Sequence, residues 1–281
     1  MNSRTRNIYS LAAILLAGCV AGERRTAHIE KSWPAGQIRH VEVREVDGTI
    51  NVHAGTTDKI VLVADVVSRG FRPDPRKDNQ GYFRTDIDGD TLMIGRRSSH
   101  SFRFPIFHVD EAMISYDLTV PANVELDLHT VNGKIATAGI TGETNATTVN
   151  GVIDLESEGT SEVSAKSVNG YISAHFLKDF RGATLKTVNG RVVAVLPNDA
   201  SFYGDFSQVN GDFEAKFPLN IHSTPGSRRV SGQVNGGKYE LRITTVNGDI
   251  KIDNGAAIPP QPPMVVPSVA PPPPPPPLPR T

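Results

Sequence analysis

The tripeptide Val-Asn-Gly occurs seven times in this chain, starting at Val131, Val149, Val168, Val188, Val209, Val234 and Val246. A degenerate copy, Val46-Asp47-Gly48, precedes them. The central asparagines are Asn132, Asn150, Asn169, Asn189, Asn210, Asn235 and Asn247. The step between them lengthens slowly from Asn132 to Asn210, then is long to Asn235 and short to Asn247. Their glycines are Gly133, Gly151, Gly170, Gly190, Gly211, Gly236 and Gly248. A nearly fixed period of about 20 residues marks a stacked architecture, in which each unit buries its apolar face against its neighbours. These residues are therefore candidate scaffold positions rather than members of one unequal catalytic cluster.

The residues around the motif define a core. Three places after each asparagine, in all copies but that of Asn235, stand Ile135, Ile153, Ile172, Val192, Phe213 and Ile250. Thr137, Leu155, Ala174, Ala194, Ala215 and Ile252 follow two places later. The positions between are mostly polar, so each segment after Asn-Gly reads as a strand with one buried face. Upstream, Leu128, Ala146, Ala165, Leu185, Phe206 and Ile243 lie four residues before their asparagines. The residue before each valine is Thr130, Thr148, Ser167, Thr187, Gln208, Gln233 or Thr245, types that hydrogen-bond to backbone at bends.

Two architectures compete. Asn-Gly between alternating segments is the strongest short hairpin signal, because both residues tolerate positive φ. A meander of hairpins would put the seven valines on the polar face. A parallel β-solenoid of roughly 20-residue rungs lets valine, glycine and the following isoleucine point inward, with the asparagines stacked as a ladder. Recurrence of the valine favours the all-β solenoid. On that expectation Val168→Lys buries a charge, and Gly170→Ala strains the backbone.

Residues 1–18 read as an export signal. Arg4 and Arg6 give a positive start, and Ile8 to Leu16 is an apolar run too short for a permanent span. It closes on Leu16-Ala17-Gly18-Cys19, which resembles the lipobox of bacterial lipoproteins. That resemblance implies cleavage before Cys19 and acylation of its thiol, which anchors the chain in a membrane. Cys19 is the single cysteine, so no disulfide can form within the chain. Val20 rather than aspartate follows it, which favours the outer membrane over the inner where a cell has both.

Residues 19–28 read as a polar tether and 29–257 as the β-repeat domain, irregular over 29–120 and regular over 121–253. The segment 70–81 is expected to be a loop, and His100 to Phe107 a cap over one end of the stack, with an exposed apolar binding patch as the alternative. Over residues 258–281, Pro259 to Pro263 and Pro271 to Pro277 read as an extended, proline-rich, disordered tail, a spacer in preference to a segment that threads cell-wall polymer or docks on an aromatic groove.

Composition excludes several functions. Without Arg4 and Arg6 the 29 basic residues become 27 against 30 acidic ones, which is no footprint for nucleic acid. The eight histidines show no metal-ligand spacing, and neither a nucleophile elbow nor a phosphate loop is present. No cofactor is expected. Outward acids, Asp154, Glu156, Asp212, Glu214 and Asp249, are interspersed with Lys134, Arg191, Lys216 and Lys251, the pattern of a solvated face.

The stretch Leu118-Thr119-Val120-Pro121-Ala122-Asn123-Val124-Glu125-Leu126, followed by Thr130 to Ile135, resembles the start of a bacterial putative-adhesin domain of toastrack-like β-repeats. The resemblance covers roughly residues 38–253. It implies a β-solenoid exposed in the bacterial envelope, often on lipoproteins or beside membrane-stress proteins. The function expected is a non-catalytic scaffold or adhesin-like surface for an envelope protein or cell-wall polymer. A polysaccharide- or cell-wall-active β-helix enzyme is the alternative.

Overall fold

The computed structural model describes residues 24–56, 58–69, 82–96, 112–219 and 229–255. The strands are, in order, β1 (Arg24–Pro34), β2 (His40–Arg44), β3 (Ile50–Gly55), β4 (Lys59–Arg69), β5 (Phe83–Asp88), β6 (Thr91–Arg96) and β7 (Ala112–Pro121). The regular part follows as β8 (Glu125–His129), β9 (Asn132–Ile140), β10 (Thr144–Thr147), β11 (Asn150–Ser157), β12 (Val163–Lys166), β13 (Ile172–Phe176), β14 (Ala183–Lys186) and β15 (Val192–Leu196). The last are β16 (Phe202–Asn210), β17 (Phe213–Ala215), β18 (Arg229–Val234), β19 (Tyr239–Asn247) and β20 (Ile250–Asn254). The expected cap and the 70–81 loop lie outside the described residues, as do Cys19, the export signal and the proline-rich segment. β1 begins at Arg24, so the strand starts inside the span read as tether.

Two ten-stranded sheets face each other. One runs β1-β4-β7-β3-β9-β11-β13-β15-β20-β17 and the other β18-β16-β19-β14-β12-β10-β8-β2-β6-β5. Each rung climbs one sheet, turns at Val-Asn-Gly and continues in the other. β8, β10, β12 and β14 pair in parallel and in register, as do β9, β11, β13 and β15. Parallel pairing between successive repeats is the solenoid; a meander would pair them antiparallel.

The core follows the expected columns. Leu128, Ala146, Ala165, Leu185, Phe206 and Ile243 are buried in one sheet, and Ile135, Ile153, Ile172, Val192 and Ile250 in the other. Each isoleucine or valine so buried contributes about 1.5–3 kcal/mol. On the return-turn side Phe176, Phe180, Phe202 and Phe217 form a chain of edge-on contacts with centroids 5.0, 6.0 and 5.4 Å apart. These large rings fill what small residues leave open between the longer C-terminal turns.

The valines contradict the expectation. Val131, Val149, Val168, Val188, Val209 and Val246 are 37–48% exposed. Strand alternation explains why. Thr130, Thr148, Ser167, Thr187 and Thr245, one place earlier, are the buried members, which turns the valine outward. The Asn-Gly corner then resets the phase, so that inward pointing resumes three residues after the asparagine. The solenoid stands, but not on the argument from valine burial.

Candidate functional site

The outer corner of the stack carries the one feature that every regular rung shares. Asn132 donates its side-chain N–H to Asp47 Oδ1 at 2.8 Å, Asn150 to Asn132 at 2.9 Å, and Asn169 to Asn150 at 2.9 Å. Asn189 donates to Asn169, Asn247 to Asn189 and Asn210 to Asn247, each at 2.8 Å. All amides therefore point their donors toward the N-terminal end. Asp47 closes the ladder there as an acceptor that needs no further donor of its own.

Beside the ladder runs a column of glycines whose backbones nearly touch. A Cβ on Gly151 would lie 1.8 Å from the carbonyl oxygen of Gly133, and one on Gly170 1.7 Å from that of Gly151. The same holds for Gly133 against Gly48, Gly190 against Gly170 and Gly248 against Gly190. Glycine is thus required at Gly170 by the closeness of the rung below rather than by an unusual φ. The threonines tie the inner side of the corner. Thr148, Thr187 and Thr245 donate to the backbone oxygens of Val131, Gly170 and Gly190 at 3.3–3.5 Å.

The structure brings six of the seven asparagines together, in the order 132, 150, 169, 189, 247 and 210. The last two are inverted because β19 pairs with both β14 and β16, and β20 with both β15 and β17. Asn235 and Gly236 stand apart. Asn235 has φ 49° and Gly236 φ 91°, and Val234 is buried. Asn235 donates its side-chain N–H to the Ala200 carbonyl at 3.0 Å. This copy is a turn that carries the chain over the start of β16, so β19 can insert between strands already laid down in sequence. The long step to Asn235 and the short one on to Asn247 mark that detour.

Sequence reasoning missed Glu45. It occupies the buried slot that threonine or serine fills in later rungs. Its carboxylate accepts from the Tyr116 hydroxyl at 2.9 Å and from the backbone N–H groups of Val46 and Asp47 at 2.9 and 3.3 Å. Its place directly before Val46-Asp47-Gly48 was the available signal.

The outward acids are engaged across rungs. Lys134 meets Asp154 at 3.3 Å, Arg191 meets Asp249 at 2.9 Å, and Lys251 meets Glu214 at 3.6 Å. The Asp212 backbone N–H and the Arg191 guanidinium hold the Asp249 carboxyl below the usual carboxylate range. A paired, acidified carboxylate is poorly suited to act as a general acid near neutral pH. Among the described residues no three His, Cys, Asp or Glu side chains converge as a metal site would require. No helix among them is long and apolar enough to cross a membrane. At the C-terminal end a cavity of about 420 Å³ opens among Phe206, Val209, Phe213, Val230 and Ile250.

No curated protein matches the chain. Among solved structures, a putative cell adhesion protein from Clostridium sporogenes ATCC 15579 is 10% identical, with a TM-score of 0.46 over 82% of this chain and 100% of that one. A putative adhesin from Bacteroides fragilis NCTC 9343 is 11% identical, with a TM-score of 0.28 over 81% and 97%. A family model, in contrast, matches residues 24–253, the whole span from β1 into β20. By that match the chain belongs to the Toastrack DUF4097 family.

Proposed function

We propose that this protein is a lipid-anchored component of a bacterial envelope, whose stacked β-domain is a non-catalytic, adhesin-like binding surface. The observation that carries the reading is the unbroken outer corner. A column of half-exposed valines lies beside a ladder of amides, repeated rung after rung with no core function for the valines. Contiguous exposed apolar surface rimmed by polar groups marks interaction sites. Cross-rung pairing of the outer acids favours binding over hydrolysis. The anchor rests on Leu-Ala-Gly-Cys19, and outer-membrane placement on Val20. A link to envelope stress belongs to this proposal only through the resemblance carried by Leu118 to Leu126.

The test has two parts. Cys19→Ser should abolish labelling by a fatty-acid analogue and release the protein from membranes; retained labelling refutes the anchor. Cross-linking in intact envelopes should join a partner to the wild type but not to a variant with Val149, Val168 and Val188 changed to aspartate. Hydrolysis of cell-wall glycan by the purified protein, abolished by Asp154→Asn or Asp249→Asn, would replace this reading with an enzyme.

A further inference from the structure

The corner is not uniform along its length. On the outer face of β12 and β14, two residues before their valines, stand Lys166 and Lys186. They are directly opposite each other on adjacent parallel strands. Both are exposed, and none of the ion pairs among the described residues involves either. Their neighbours in the column are Thr147 and Thr244, which bring no charge. Like charges directly opposite in a sheet destabilise it. Elsewhere on the outer face of this sheet basic side chains are matched, as Arg44 is by Glu42 on β2 and Arg242 by Glu240 on β19. An unmatched pair among matched ones is a cost to the free protein that a bound anion would remove.

The same two rungs carry Val168 and Val188, then Asn169 and Asn189, and on the far side of the corner Tyr171, 37% exposed. A ligand lying along the stack would meet cations, methyl groups and amides in three adjacent columns. On these rungs Asn169 and Asn189 each donate one side-chain N–H bond to the neighbouring asparagine, and an amide carries a second.

Resting on the reading of this corner as a binding surface, we infer that its central rungs bind a linear acidic polysaccharide, carboxylates on the lysines and sugar faces on the valines. The dimensions select this class. Rungs about 4.8 Å apart make a seven-rung track about 29 Å long and only one or two side chains wide. That is far short of the roughly 800 Å² per partner of a stable protein interface. An extended peptide repeats its side-chain direction about every 6.6 Å, or roughly 6.6 Å per pair of residues, out of step with the rungs. A chain of sugar rings offers a polar edge and an apolar face in each unit. Two lysines on a chain of negative net charge are too few for nucleic acid, whose binding scales with the phosphates neutralised.

The experiment titrates the mature protein with a galacturonate hexasaccharide and with the neutral N-acetylglucosamine hexasaccharide, by calorimetry at low and at physiological salt. The acidic sugar should bind about tenfold or more tightly than the neutral one, and more weakly as salt rises. The double variant Lys166→Gln/Lys186→Gln should lose that preference while its thermal midpoint stays level or rises. Equal binding of both sugars, an unchanged affinity in the double variant, or no binding of the acidic sugar overturns the inference. So does a lysine-dependent preference for duplex DNA or phosphatidylglycerol vesicles over the sugar. A valine-dependent cross-link in envelopes with no binding of the acidic sugar would leave the proposed function intact and remove only its ligand.

Discussion

The chain makes the same move from β2 to β3 as from β8 to β9: a strand in one sheet, a corner, a strand in the other. The two corners touch, with Asn132 hydrogen-bonded to Asp47 and Gly133 packed on Gly48. What differs is what surrounds them. After β9 the next rung follows directly, and each strand finds a parallel partner one repeat away. After β3 the chain leaves the pattern for β4, β5, β6 and β7. β4 and β1 add antiparallel strands at this end of one sheet, and β5 adds one at the same end of the other sheet. A parallel stack has no internal reason to stop, because each rung presents the next with the same edge. Antiparallel strands break that repetition, and the charged residues of β1, such as Glu30 and Lys31, blunt its outer edge. The regular region thus supplies uniform contacts, and the first region supplies termination at its own end, as antiparallel β18 does for the second sheet at the other.

Three measurements would break or sharpen the contrast. The largest effect is expected from a methyl group in the glycine column. Gly170→Ala sets a Cβ 1.7 Å from the Gly151 carbonyl oxygen, and the rungs must part. Stability should fall by at least about 3 kcal/mol in urea denaturation. Gly95→Ala on β6, where the nearest atom is the Arg44 oxygen at 3.3 Å, should cost about 1 kcal/mol or less. Similar midpoints for the two would mean that the regular rungs are no more tightly stacked than the first region.

Next comes the buried slot before the corner. Glu45→Ala leaves the Tyr116 hydroxyl and two backbone donors without their acceptor, at about 2 kcal/mol. Thr148→Ala removes one long hydrogen bond and should cost less. If the order reverses, Glu45 is not what ties the first corner to β7. The smallest effect belongs to the valines. Val168→Lys changes an exposed residue and should leave the denaturation midpoint within about 0.5 kcal/mol of wild type. A large loss would mean that the valine column supports the fold and is not free to bind.

Much of this architecture could be read from the residues. Hydrophobic columns at fixed offsets from the asparagine located the core, because burial at Leu128 or Ile135 depends only on alternation within a strand. Valine exposure could not be read the same way, since alternation breaks at the corner. The Val-Asn-Gly at Val234 misled for another reason. One tripeptide serves a rung corner at Asn189, where Gly190 lets the neighbouring backbone come close, and a crossover turn at Asn235, where asparagine and glycine both take positive φ. Only the partners distinguish the two. The lysine pair was invisible as a pair, because Lys166 and Lys186 meet only once the register of β12 and β14 is fixed.

The crossover at Asn235 also bears on how the molecule is made. Rungs through β15 can dock in the order in which they leave the ribosome, each on a neighbour completed one repeat earlier. The segment bearing Asn210 cannot. Its place is beyond Asn247, which pairs with Asn189 across 58 residues of chain. β16 can therefore pair only with β18, and β17 with no strand, until β19 and β20 have been synthesised and slotted in ahead of them. Vectorial growth gives way at that point to a last step of threading, which demands nearly the whole chain. A nascent chain arrested before Tyr239 would carry a finished column ending at β14 and β15, with two strand edges open to any passing segment.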